Sequence, residues 1–94
     1  MKFKTEYFRV KCSCRSVGEC EHNDFAWMKA LNTCVDAFAL EMKKKLRQKF
    51  LEGRHGWDSP DWPKDDIRRR MYEHIDKGDP VDVANFAMFL WNRD

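Results

Sequence analysis

Between Asn23 and Gly53 apolar side chains recur at steps of three and four residues: Trp27 or Met28, then Leu31, Val35, Phe38, Met42, Leu46 and Phe50. That spacing is the helical period, whereas a strand would alternate by two. The centre of the chain is therefore committed to one long amphipathic helix. Asn23 or Asp24 supplies its N-cap, because a short oxygen-bearing side chain satisfies a free N–H at a helix start. Gly53 closes it, and Lys43, Lys44, Lys45, Arg47 and Lys49 gather near the end where unpaired carbonyls favour cations. The helix is predicted over Phe25 to Leu51, about 40 Å at 1.5 Å per residue. Cys34 lies in line with its apolar face and is expected simply to pack.

From Glu52 to Pro63 two glycines and two prolines mark a loop. Trp57 and Trp62 within it are expected as lids on the core, since large aromatics contribute heavily to burial. Pro63 opens a second helix with Asp65 and Asp66 at its positive dipole end and Ile67, Met71 and Ile75 as an apolar line. It stops at Lys77-Gly78. Asp79 caps a third helix that has Pro80 at its first position and Asp82 three residues after the cap. From Val81 to Trp91 only Asp82 and Asn85 are polar. A helix apolar nearly all round is a central core helix or part of an oligomer interface, and a homodimer or higher homo-oligomer is the expected closed solution. Phe38, Met42, Ile67, Met71, Val83, Ala87 and Leu90 are the expected core.

Residues Phe3 to Cys12 alternate as a short strand would, with a return through Val17-Gly18 or a pairing with a second subunit. The predicted fold class is mainly α. A long helix (24–52) packs on a short helical hairpin (63–93), preceded by a small extended segment (1–23) that is a β-hairpin or a zinc-bound piece, all in a single domain, 1–94.

Ninety-four residues exclude large enzymes with separate cofactor and substrate domains, and 43% hydrophobic content suffices for a modest core. Net charge is only +2. Its distribution is uneven: residues 1–54 carry twelve bases and seven acids, residues 55–94 six bases and nine acids. No stretch approaches a membrane span and the first residues lack an apolar signal core, so a cytoplasmic, membrane-free location is expected. In such a compartment cysteines are thiols or metal ligands.

Three groups of residues could carry chemistry. Cys12, Cys14, Cys20 and His22 form two close pairs that a turn at Val17-Gly18 would join into a Cys₃His zinc site; the alternative is ordinary reduced thiols. Glu73 and Asp76 near the end of the second helix, with Asp79 and Asp82 opening the third, crowd four carboxylates into one corner suited to Mg²⁺ with nucleotide phosphates. Capping and surface ion pairs also account for these acids, and are the favoured reading. A basic group, Lys43, Lys44, Arg47 and Arg54 followed by Arg68, Arg69 and Arg70, could meet phosphates, nucleic acid or an acidic host protein, or be a solvated face.

The stretch from Gly78 to Trp91, GDPVDVANFAMFLW, together with Gly56-Trp57-Asp58 and Glu73 to Lys77, resembles a group of small phage and prophage proteins. Asp82 to Met88 is, more remotely, similar to the last motif helix of the MazG-like all-helical nucleotide pyrophosphohydrolases, including phage dATP/dGTP pyrophosphohydrolase-like proteins. That resemblance implies Mg²⁺ held by two acid pairs around a triphosphate. Asp79 and Asp82 match the second pair, and Glu73 and Asp76 offer the spacing of the first, beside three arginines where the family has acids.

The leading expectation is a small phage-derived accessory protein in a bacterial host cell that binds a host macromolecule or a nucleotide without turning it over, using the basic residues with Asp82 and Asn85. A Mg²⁺-dependent MazG-like (d)NTP pyrophosphohydrolase is the alternative. A zinc-containing nucleic-acid-binding module stands third.

Overall fold

A computed structural model describes residues 4–6 and 24–93. Three helices follow one another: α1 (Asp24–Leu51), α2 (Lys64–Asp76) and α3 (Pro80–Arg93). The fold is all-α, and no strand occurs among the described residues. Of the predicted strand Phe3 to Cys12 only Lys4, Thr5 and Glu6 are described, and they are not extended into one. The remainder of that strand and the Cys12, Cys14, Cys20 and His22 group lie outside the described residues. None of the described helices is long and apolar enough to cross a membrane.

The described residues fall into two compact units that divide within α1 after Ala39. In the first unit Ala30 is buried and Cys34 is a half-buried free thiol. The predicted stripe along this part of α1 is largely exposed instead of covered: Trp27, the alternative to Met28 as its first member, is half-buried, but Met28, Leu31 and Val35 are all more than half exposed, and Phe38 is 38% exposed. Phe38 is thus not the buried core residue its spacing suggested.

The second unit begins at Leu40 and contains the end of α1, the loop, α2 and α3. Here the long helix packs against the α2–α3 hairpin. Asn85 of α3 donates its side-chain amide to the Met42 carbonyl at 3.3 Å, and Lys45 reaches Asp82 at 3.7 Å. Ile67 is fully buried and Phe89 nearly so, with Asp82 and Asn85 buried beside them. Met42, Met71, Val83 and Leu90 are half-buried, whereas Ala87 is exposed.

The predicted apolar line of α2 turns one position at its end. Ile67 and Met71 face inward as expected, but Ile75 is 51% exposed and His74 takes the inward place. Positions 67, 71 and 74 follow the i, i+4, i+7 face of a 3.6-residue helix, which drifts off a strict four-residue step. On α3, Trp91 is 78% exposed, so a helix apolar nearly all round is only partly covered.

The loop is held as a cap on this core. Trp62 donates its indole N–H to Asp66 at 2.6 Å, and Asp66 also accepts from Arg69 and from Arg70, the latter at 3.0 Å. Arg93, at the far end of α3, donates to the carbonyls of Trp62 at 2.6 Å and Ser59 at 3.0 Å. The Trp57 ring stacks on Phe89 at 5.3 Å, and Trp62 meets Phe86 and Phe89 edge-on at 6.4 and 6.2 Å. Both tryptophans therefore cover one aromatic cluster, whose offset and T-shaped contacts are the arrangements that ring quadrupoles favour.

Candidate metal centre and cavity

Two helix-end motifs, run together, build the centre. At the end of α2, Gly78 takes a φ of +71°, a left-handed conformation in which glycine has no Cβ to strain. The Gly78 N–H donates to the Ile75 carbonyl and the Asp79 N–H to the His74 carbonyl, each at 3.0 Å. This is the Schellman arrangement. It folds the backbone of Asp79 back over the last turn of α2, next to His74. Asp79 is at the same time the cap of α3: its carbonyl accepts from Val83 at 3.1 Å, and its carboxylate accepts from the Asp82 backbone N–H. Capping brings a side chain at the cap position against the third residue of the helix, so Asp79 and Asp82 meet.

His74, Asp79 and Asp82 consequently converge. Each offers one ligand atom, and these atoms lie within 4.8 Å of one another. His74 Nδ1 stands 3.4 Å from Asp79 Oδ2 and 3.4 Å from Asp82 Oδ2. It is buried, yet among the described residues it makes no hydrogen bond. Donor atoms sharing one cation at about 2.1 Å are separated by about 3 to 3.4 Å, so the two nitrogen–oxygen distances have the spacing of a coordination edge. The imidazole is held in place by its ring contact with Phe86 at 5.2 Å. A nitrogen facing two carboxylate oxygens fits a divalent cation, and the three residues form a cluster able to coordinate one.

The two carboxyls are held unequally. Burial, and then the hydrogen bond shared with Asp79, push the Asp82 carboxyl above its ordinary range. The same shared bond holds Asp79 below it. Two carboxylates this close repel one another when both are charged, and a nearby positive charge offsets that repulsion. A divalent cation between them would balance both charges.

His74, Asp82 and Asn85 are among the residues lining an open cavity of about 1010 Å³. The rest of the lining combines aromatic rings, including Trp57, Trp62, Phe86 and Phe89, with cations, including Lys45, Arg47, Lys49, Arg54 and Arg70. Asn85 is 5% exposed, and its Oδ1 has no hydrogen-bond partner among the described residues. A buried acceptor without a donor is costly, typically by 1 to 3 kcal/mol on the order of magnitude, and an NH or OH of a bound molecule would relieve it.

The structure thus sorts the residues singled out in the sequence. Asp79 and Asp82 come together, joined by His74. Glu73 and Asp76 are exposed and outside this cluster, with Glu73 lying 4.0 Å from Arg69. Of the basic group, Arg47, Arg54 and Arg70 line the cavity, as do Lys45 and Lys49. Lys43 is exposed, Lys44 pairs with Glu41, Arg68 with Asp65 at 2.9 Å, and Arg69 with Asp66. His74 was hidden in the sequence because Ile75 completes a plausible apolar line. The signal that would have revealed it is positional: a histidine three residues before the helix-ending Lys77, followed by glycine and a capping aspartate, lands beside that cap.

Comparison with known protein families, with curated proteins and with solved structures returns no match to this chain.

Proposed function

We propose that this chain is a divalent-cation-dependent (d)NTP pyrophosphohydrolase. The observation that carries the reading is the convergence of His74, Asp79 and Asp82, two of which, His74 and Asp82, line a cavity that also holds arginines and tryptophans. A cation bound there would polarise phosphate oxygens and offset the charge that builds up as a phosphoanhydride is cleaved. One nitrogen and two carboxylate oxygens suit Mn²⁺ or Zn²⁺, with Mg²⁺ favoured less because it prefers oxygen alone.

The chain's own residues supply the remainder of the site. Arg47 would offer its guanidinium fork to the phosphates, the geometry that oxyanions accept bidentately, while Arg54, 3.8 Å from Glu52, and Arg70, bonded through Nε to Asp66, would add charge and their remaining N–H groups. The Trp57 ring stacks on Phe89 with one side and is 40% exposed overall, which leaves surface for a base. Asn85 Oδ1 accepts a donor from base or sugar. The reading agrees with the likeness of Asp82 to Met88 to the pyrophosphohydrolase motif helix, with His74 in the part that Glu73 and Asp76 were expected to play.

The test is incubation with a panel of NTPs and dNTPs plus Mn²⁺ or Mg²⁺, followed by assay of pyrophosphate. Release is expected, and it should be lost in Asp82→Asn and His74→Ala. Nucleotides bound but recovered intact would overturn hydrolysis in favour of a non-catalytic accessory binder of a nucleotide or host macromolecule.

A further inference from the structure

Lys45 projects from α1 toward the centre, and its Nζ lies 3.7 Å from Asp82 Oδ2. That oxygen is the one standing 3.4 Å from His74 Nδ1. Asp82 has a side chain only 9% exposed, while that of Lys45 is 33% exposed and also borders the cavity. A buried carboxylate needs a counter-charge, and the Lys45 ammonium provides one. The same oxygen cannot serve both an ammonium and a divalent ion at full strength, since like charges a few ångströms apart in a partly buried site repel strongly.

Resting on the metal-centre reading above, we infer that Lys45 is a built-in competitor for the centre: it neutralises Asp82 until a divalent cation displaces it, and so sets the concentration at which the centre fills. Lysine suits this part. Its charge sits at the tip of a flexible four-carbon stem and makes one yielding contact, whereas a guanidinium would grip a carboxylate with two hydrogen bonds. The open cavity beside it gives the displaced ammonium somewhere to go. The surrounding charges act in the same direction. Arg47, Lys49, Arg54 and Arg70 also border the cavity, but Lys45 has the contact with a ligand oxygen.

The experiment is titration with Mn²⁺ alone, followed by electron paramagnetic resonance of free Mn²⁺, on the wild type and on Lys45→Met, Lys45→Gln and Lys45→Arg. Loss of one unit charge at this distance should tighten Mn²⁺ binding about tenfold or more in the Met and Gln variants, while the Arg variant binds no tighter than the wild type. Adding His74→Ala to Lys45→Met should abolish the gain, which ties it to this centre. Two neutral variants guard against one that fails to fold. Equal affinity in the wild type and both neutral variants would overturn the competitor while leaving the metal centre standing. No binding by any of them would overturn both, and tightening in the Arg variant would show that charge is not the cause.

Discussion

The Asn85 side-chain amide and the Met42 backbone carbonyl are joined at 3.3 Å across 43 positions of sequence. This bond links α3 to the second half of α1, and Asn85 is buried, as is Asp82 one turn before it. Asn85→Ala removes it and trims a buried side chain. A loss of about 1 to 2 kcal/mol is expected, read as a lower urea midpoint with an unchanged slope.

Ile67 is the fully buried side chain of α2. Ile67→Ala should cost about 2 to 5 kcal/mol, from lost transfer energy plus the cavity left behind. In a small chain that is a large share of the total stability, so a large drop in melting temperature is expected, measured by far-UV circular dichroism.

Gly78 has open space around the position a Cβ would take, but its φ is +71°. Gly78→Ala therefore meets no clash and should cost about 1 kcal/mol through backbone strain alone. Because the glycine also turns Asp79 toward His74, the variant should bind Mn²⁺ more weakly than its modest loss of stability would suggest. Isothermal titration calorimetry beside a denaturation curve separates the two effects.

Asp66 is held well below its ordinary value of 3.8, first by the Arg69 hydrogen bond, then by those from Trp62 and Arg70. A carboxyl depressed in the folded state binds fewer protons there than in the unfolded chain. Its contribution is therefore complete above pH 3.8 and is lost as pH falls toward the folded value. Wild type should exceed Asp66→Asn by a constant margin at higher pH, and the margin should shrink in more acid solution. Chemical denaturation at several pH values, followed by tryptophan fluorescence, checks this.

Much of the second unit was legible in the sequence. The period of α1, the proline before α2, the Lys77-Gly78 stop and the Asp79 cap are local signals, and each acts within a turn or two of the residue that carries it. Helix bounds follow from such signals because capping and backbone conformation are decided by near neighbours. The aromatic lids were also foreseen, on the general ground that large rings are buried, and the rings they cover prove to be on α3, where Trp57 and Trp62 both meet Phe89.

The burial of the helix faces was decided by tertiary structure. Phe38 and Ile75 satisfy the periodic pattern as well as Met42 and Met71 do, yet Phe38 and Ile75 are exposed. Periodicity states that a face is apolar and leaves open what covers it. The ligand set shows the same division. Asp79 and Asp82 are paired by capping, which is local, so their proximity could be read directly. His74 joins them only through the left-handed turn at Gly78 and the packing of its ring on Phe86. Lys45 arrives from a different helix, 37 residues before Asp82 in the numbering, and that separation carries no signal in sequence. Sequence by itself determined three helices and the cap that pairs two aspartates; tertiary structure alone decided which nitrogen and which ammonium meet them, because those contacts depend on the packing of helices that no local rule specifies.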